Sequence, residues 1–155
     1  MNREKNVDVK AFWKNKSLAE LDHSEWESLC DGCGNCCLLK LEDEDTGIRE
    51  FTKISCKLLD LGHCNCSDYQ NRHQRVPDCI KFDSTTIEDI DWLPETCAYR
   101  LVYENKNLPW WHPLVSGNSQ SIHEAGISVR GWAISEERVR EEDYFKYIIN
   151  NPWKK

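Results

Sequence analysis

The sequence predicts a small single domain of the α+β class, built from short helices and small sheets. Three observations lead to this prediction. The chain has 155 residues, the size of one ordinary domain. Glycine and proline are sparse, at 7 and 5 residues, so no linker marks a division into two domains. The helix-like and strand-like stretches are short and follow one another without a regular repeat.

The first predicted elements are two short helices that lead into a cysteine-rich loop. Ser17–Glu20 and Ser24–Glu27 each show the capping-box pattern that opens a helix. The second helix runs directly into Cys30. Gly32 and Gly34 then end it, because glycine readily adopts the positive φ of a tight loop.

The later elements are predicted from hydrophobic periodicity and from turn residues. Leu38–Leu41 and Ile48–Ile54 form a hairpin around a polar turn. The apolar residues of Thr96–Asn105 predict a buried helix. Ile127–Ile134 alternates like a strand, and Glu141–Ile149 is predicted to be the last helix. Tryptophan is abundant, at seven residues, and is expected to supply much of the core.

Charge and hydropathy exclude several classes of protein. Residues 1–16 carry a net charge of +3 within a chain whose net charge is −7, so they are predicted to be a basic tail. Residues 17–155 are then the single domain, and their acidic character argues against nucleic-acid binding. No apolar stretch is long enough to span a membrane, and the start of the chain has no secretory signal. The expected location is the cytoplasm.

The nine cysteines are the strongest signal in the sequence. An odd number cannot pair completely in disulfides, and cytoplasmic thiols stay reduced. Clustered cysteines in that setting are typical of metal sites. Metal binding also suits the modest core, since the 39% of hydrophobic residues includes the cysteines themselves and ligation free energy becomes folding free energy. The small sheets and helices are therefore expected to surround a cysteine-bound metal core.

The spacing within the first cluster predicts how its thiols are used. Cys30, Cys33 and Cys36 are separated by two residues each, which lets turns present their sulfurs to one metal centre. Cys37 follows Cys36 directly, and adjacent side chains diverge. Cys37 is therefore expected to serve a second centre with later cysteines, or else one of the pair is not a ligand. The later cysteines are Cys56, Cys64, Cys66, Cys79 and Cys97.

The arrangement of these residues resembles a known family over nearly the whole chain. The matching motifs are Cys30-x-x-Cys33-x-x-Cys36-Cys37, Cys56, Cys66-x-x-Tyr69-x-x-Arg72, Cys79, and Thr96-Cys97-Ala98-Tyr99-Arg100. The chain is similar to the CxxCxxCC family of zinc- or iron-chelating proteins, and within it to bacterial YcgN-type proteins, which are YkgJ-like cysteine-cluster proteins. The resemblance implies that most or all of the nine cysteines bind zinc or iron. It implies no reaction, substrate or protein partner.

Other polar residues are weighed as neighbours of the metal. Tyr69 and Arg72 lie three residues apart, and Arg72 and Arg100 are suited to donate hydrogen bonds to metal-bound sulfurs. The alternative for both arginines is a surface ion pair. His63, beside Cys64, is the best substitute ligand among the histidines. His112 is either a functional group in an aromatic pocket or a structural histidine.

The identity of the metal and the role of the protein stay open at this stage. Two closed four-thiolate zinc sites would use eight of the nine cysteines, which favours zinc as first choice. The three-sulfur loop also matches the start of an iron–sulfur loop, although no Cys-Pro follows. The first functional hypothesis is a metal-binding protein. The alternatives are an iron–sulfur redox protein or metalloenzyme, and an interaction module that zinc stiffens around Trp110 and Trp111. No catalytic residue can be assigned.

Overall fold

Short helices and short strands make up the computed structural model, which describes residues 11–77, 79, 83–90 and 92–149. The α-helices are α1 (Phe12–Asn15), α2 (His23–Leu29), α3 (Arg72–Arg75), α4 (Ala98–Tyr103), α5 (Pro113–Ser116) and α6 (Ser121–Glu124). The strands are β1 (Leu38–Glu42), β2 (Arg49–Ser55), β3 (Leu59–Asp60), β4 (Asn65–Cys66), β5 (Ile134–Ser135) and β6 (Ile148–Ile149). Turns of 3-10 helix cover Leu18–Glu20, Asn35–Cys37, Ile87–Asp89, Glu136–Arg138 and Glu141–Tyr147. The predicted α+β class is confirmed.

The chain forms two compact units. The first takes in the described residues of Met1–Asp31 and Phe82–Ala125, and the second takes in those of Gly32–Lys81 and Gly126–Lys155. Helices α1, α2, α4, α5 and α6 belong to the first unit, whereas all six strands and α3 belong to the second. Most of the predicted basic tail, residues 1–10, lies outside the described residues, so its boundary at residue 16 stays a prediction.

The first unit has an apolar core to which its helices and loops contribute. Leu29 of α2 is completely buried there. Trp26 and Trp92 pack against the core from its edge, as predicted for the tryptophans. Trp110 does not, because 61% of its surface is exposed. The buried members are Leu18, Leu29, Ile87, Leu93, Ala98, Tyr99, Val102 and Leu108.

The N-terminal ends of the first two helical segments confirm one capping prediction and correct the other. Ser17 and Glu20 form the predicted capping box, with Glu20 Oε1 accepting from the Ser17 N–H at 3.0 Å. The second helix, however, starts after Asp22, whose carboxylate accepts the Glu25 N–H at 2.8 Å. The box predicted from Ser24 was therefore wrong by two residues, because aspartate is at least as good an N-cap as serine.

The second unit is organised around strand β2. Strand β1 pairs with it antiparallel, as the hairpin prediction required, and Asp43 closes the turn by accepting the backbone N–H groups of Asp45 and Thr46. Strand β5 pairs with β2 in parallel and β6 pairs with it antiparallel. A separate antiparallel pair, β3 and β4, brings Leu59 opposite Cys66.

Two predicted elements near the end of the chain were wrong in type. Of the strand predicted over Ile127–Ile134 only the last residue pairs, because the preceding stretch turns at Gly131, whose φ is +89°. The helix predicted over Glu141–Ile149 is a 3-10 helix over Glu141–Tyr147, and Ile148 and Ile149 then join β2 as strand β6. In both places a partner distant in sequence overrides the local pattern.

Candidate metal centre

The cysteine loop begins where helix α2 ends. Leu29 is the last helical residue and Cys30 follows it with extended backbone. Gly32 and Gly34 both have a φ of +78°, which side-chain-bearing residues rarely adopt. At Gly34 an added Cβ would also lie 2.8 Å from Cγ2 of Val129. The prediction that these glycines turn the loop is confirmed.

Two side chains fix the end of α2 just before Cys30. The Tyr99 hydroxyl donates to the carbonyl of Trp26 at 2.7 Å, and His112 Nε2 lies 2.7 Å from the carbonyl of Leu29. Carbonyls in the last turn of a helix have no partner within the helix, so such bonds satisfy them. The Leu114 N–H donates to His112 Nδ1 at 3.0 Å, which leaves the proton on Nε2. His112 is therefore the structural histidine of the two alternatives.

Backbone N–H groups are aimed at two of the thiols in the same local geometry. The Asn35 N–H donates to Cys33 Sγ at 3.5 Å, and the Leu58 N–H donates to Cys56 Sγ at 3.5 Å. In each case the donor lies two residues after the cysteine. Such bonds stabilise a sulfur that carries negative charge, as a metal-bound thiolate does.

Four cysteines from three segments of the second unit interact electrostatically. Burial raises the pKa of the Cys79 thiol, and the thiols of Cys56, Cys66 and Cys36 raise it further. Burial likewise raises the pKa of Cys56, to which Cys66 also contributes. The backbone explains part of the convergence, because the Cys56 N–H donates to the carbonyl of Cys37 at 2.8 Å. Cys36, Cys56, Cys66 and Cys79 are called the four-thiol set below.

The donor chemistry of the four-thiol set suits zinc or iron, both of which bind four thiolates. All nine cysteines are thiols in the structure. Within the described residues, no three cysteine, histidine or acidic side chains stand in the arrangement that would hold an ion. The four thiols are therefore ligands of the right type for zinc or iron, and Cys79 interacts electrostatically with the other three. Binding a metal would require the four sulfurs to move closer together.

Arg72 lies beside the four-thiol set. Its guanidinium stacks on the Tyr69 ring at 3.7 Å from the ring centre and donates to the Tyr69 carbonyl at 2.6 Å. Among the influences on Cys79, the charge of Arg72 is the largest that lowers the thiol pKa. Tyr69 thus orients a cation that favours the thiolate form of Cys79.

The vicinal pair divides between two environments. Cys36 interacts with Cys79, whereas Cys37 packs against a small apolar cluster formed by Leu38, Leu59, Cys64 and Val129. The expectation that Cys37 joins later cysteines stays a prediction, and Cys64, in the cluster that Cys37 contacts, is one of those cysteines. The N–H donated by Val129 to the carbonyl of Cys33, at 2.9 Å, contributes to this arrangement by packing residues 127–130 onto the loop.

Cys64 is a buried member of that cluster, with 3% of its surface exposed and a φ of +58°. Burial raises the pKa of its thiol, against opposing contributions from the Ser128 hydroxyl and the Arg130 charge. Sequence reasoning missed Ser128 and Arg130. They lie more than sixty residues after Cys64 in a stretch without cysteine, so no spacing signal points to them.

The remaining candidates are distributed over both units. Cys30 and Cys97 belong to the first unit, where Cys97 occupies the N-cap position of α4. Arg100 donates to Glu104 Oε1 at 2.9 Å and to the carbonyl of Leu93 at 2.7 Å. Its contacts are those of the ion-pair alternative. In the second unit, His63 Nδ1 lies 3.1 Å from Asp60 Oδ2.

Comparison with known proteins identifies a cysteine-rich domain of a known family in this small α+β chain. A profile of the CxxCxxCC family, described as "Putative zinc- or iron-chelating domain", matches residues 29–98. That segment contains every cysteine of the chain. No solved structure matches. None of the helices in the described ranges is long and apolar enough to cross a membrane.

Similar full-length proteins identify the family. The chain is 55% identical to a UPF0260 protein of Sinorhizobium fredii over 91% of both chains. It is 56% identical to a UPF0260 protein of Agrobacterium fabrum, over 91% of this chain and 87% of the other. The chain belongs to the UPF0260 family, whose cysteine domain is described as zinc- or iron-chelating.

Proposed function

We propose that this protein binds a zinc or iron centre through the four-thiol set of Cys36, Cys56, Cys66 and Cys79. The proposal is supported by the zinc- or iron-chelating family match over residues 29–98 and by the interaction of the Cys79 thiol with those of Cys36, Cys56 and Cys66, which come from segments up to 43 residues apart. Thiols brought together in this way disfavour one another's ionisation unless a cation joins them. A metal ion is the cation that thiolates bind most strongly.

The proposed metal also has a structural role. The apolar cluster of the second unit has four buried members, and strands β3 to β6 have only two residues each. Such short strands gain little from their own pairing. Ligation across Cys36, Cys56, Cys66 and Cys79 would tie the end of the cysteine loop to the segments that carry β3, β4 and α3. Its binding free energy would then be folding free energy for this unit.

Zinc is the first choice for the metal and iron is the alternative. Four thiolates make a closed zinc site, which has no open position for substrate or water. An iron–sulfur cluster uses the same four ligands and would give the protein a redox role. Thiolate ligands must be kept reduced, so the proposal includes a cytoplasmic location.

Metal analysis of anaerobically purified protein tests the proposal. We expect about one metal ion or one cluster per chain in the wild type. Iron would be recognised by the visible absorption of thiolate-to-iron charge transfer, which zinc lacks. The test variant is Cys79→Ser, which removes the thiol that interacts with the other three members. Its metal content should fall sharply.

The matched control is Cys97→Ser. Cys97 is in the first unit at a helix N-cap, a position that serine fills well. This variant should keep the wild-type metal content. Full metal content in Cys79→Ser, or no bound metal in wild-type protein supplied with zinc and with iron, would overturn the proposal. Equal losses in both variants would overturn the restriction to four thiols in favour of the larger ligand set.

A further inference from the structure

Lys40 lies against the backbone of the vicinal cysteine pair. Its ammonium donates to the carbonyl of Cys36 at 3.1 Å and to the carbonyl of Leu38 at 2.8 Å. These two carbonyls flank Cys37 in the sequence. The lysine side chain therefore folds back along its own strand toward the end of the cysteine loop instead of extending into solvent.

The β1–β2 hairpin explains why Lys40 takes this path. The register of the two strands is irregular between Leu38 and Lys40, and such irregularities change the direction of side chains. Lys40 then pairs with Phe51, and its ammonium lies 5.5 Å from the centre of the Phe51 ring. The aromatic ring and the two carbonyls hold the ammonium beside the backbone of Cys36 and Leu38.

The ammonium is held at an electrostatic cost that thiolates would offset. Lys40 is partly buried, and the thiols of Cys36 and Cys37 are near enough to interact with its charge. A buried cation is costly unless negative charge lies close to it. A metal-bound thiolate at Cys36 would supply that charge permanently, because ligation removes the thiol proton.

We propose that Lys40 is a charge-compensating residue of the metal centre, positioned to offset the negative charge of the Cys36 thiolate. This inference rests on the proposed function. A divalent ion with four thiolates carries a net charge of about −2, and Arg72 and Lys57 are cations that also interact with members of the set. Lys40 binds no metal itself. It would strengthen metal binding through the hydrogen bond to the Cys36 carbonyl and through its charge.

Zinc titration against a competing chelator, with the full-length protein, separates these contributions. Lys40→Gln keeps a hydrogen-bond donor for the two carbonyls and removes the charge, whereas Lys40→Arg keeps the charge. We expect Lys40→Gln to weaken zinc binding by about 10-fold or more, the usual effect of removing an outer-shell partner. Lys40→Arg should restore most of the loss. The control is Lys53→Gln, which makes the same change in net charge at a lysine 5.6 Å from the Tyr147 ring, and it should bind zinc like the wild type.

The outcomes distinguish the inference from the proposed function. Wild-type affinity in Lys40→Gln would overturn the inference and leave the four-thiol site standing. A loss in Lys40→Gln that Lys40→Arg fails to restore, or an equal loss in Lys53→Gln, would also overturn it, since the specific charge at residue 40 would not be the cause. Failure of the wild type to bind zinc or iron would overturn the proposed function first.

Discussion

The two compact units of this chain fill their interiors in different ways. In the first unit eight buried residues form one apolar cluster, and partly buried aromatic and aliphatic side chains such as Trp26 and Trp92 extend it. Two of its buried polar side chains, Tyr99 and His112, bond to the backbone of helix α2. Hydrophobic burial is the ordinary source of stability for such a unit.

The second unit has more sulfur. Its cluster of four buried residues includes Cys64, and Phe51, Ile54 and Leu58 are buried outside that cluster. Seven of the nine cysteines belong to this unit, and four of them interact electrostatically. Cysteine side chains are small, so neutral thiols add less buried apolar surface than leucine or tryptophan side chains do.

The two units therefore differ in what is expected to stabilise them. The first unit has the interior of a conventional small domain, whereas under the proposed function metal ligation would add to the cohesion of the second. The metal should therefore matter to one unit far more than to the other. Each of the following predictions tests that asymmetry, in order of decreasing effect.

Metal removal should have the largest effect and should act on the second unit. Removing the metal completely should make amide exchange in strand β2 fast and should expose residues 55–77 to protease. The reason is that structural zinc contributes on the order of 10 kcal/mol to the folding stability of small thiolate domains. Amides of α4 in the first unit should keep most of their protection. Hydrogen exchange measured by mass spectrometry before and after chelation follows both regions at once. Unchanged exchange in β2, or equal losses in β2 and α4, would contradict the asymmetry.

Acidification should have a moderate effect on the first unit, and His112 should be its origin. Burial lowers the pKa of His112 below its usual 6.5. As the pH falls below about 6.5, the unfolded chain takes up a proton at this position and the folded chain does not, so the free energy of unfolding decreases. Above that pH the contribution is fully present.

The variant that tests this assignment is His112→Gln. We expect it to lose about 1–3 kcal/mol at neutral pH, since the Leu29 carbonyl loses its partner, and to show a flatter pH dependence. His63→Gln is the control, because His63 is exposed and contacts Asp60. Exchange of α4 amides between about pH 5.5 and 7.5 is the readout, so that acid-induced metal release in the second unit is not measured. An unchanged pH profile in His112→Gln would show that another group is responsible.

Sequence reasoning succeeded where a structural feature depends on neighbouring residues. The β1–β2 hairpin, helix α4 and the turns at Gly32 and Gly34 all lie where local pattern placed them. Each is decided by residues within one element and its flanking turns. The concentration of cysteines likewise indicated a zinc- or iron-binding domain, which the family description supports, because clustered thiols are typical metal ligands.

Sequence reasoning failed where distant segments decide the outcome. Residues 127–133 alternate like a strand, yet the Val129 N–H bonds the Cys33 carbonyl and the backbone turns at Gly131. The ligand roles predicted for the adjacent Cys36 and Cys37 stay predictions; Cys37 packs against the cluster that contains Cys64, and Cys36 interacts with Cys79. Spacing alone cannot choose between two adjacent cysteines, because the choice depends on which segments pack around them. Lys40 was missed for the same reason.

The N-cap of helix α2 gives the smallest predicted effect, and it separates the capping pattern read from Ser24 from the cap observed at Asp22. The Asp22 carboxylate accepts the Glu25 N–H, and the Glu25 carboxylate accepts the Asp22 N–H at 3.0 Å. Replacing Asp22 with alanine should cost about 1 kcal/mol in the stability of the first unit. Asp22→Asn should cost less, because asparagine still caps, whereas Ser24→Ala should be nearly neutral or slightly stabilising at a position inside the helix. Chemical unfolding followed by α4 exchange measures all three variants.

Metal content should stay at the wild-type value in each, because α2 leads to Cys30 and not to a member of the four-thiol set. A larger loss of stability in Ser24→Ala than in Asp22→Ala would show that Ser24, as the sequence suggested, is the N-cap. Loss of metal in Asp22→Ala would indicate that Cys30 is also a ligand.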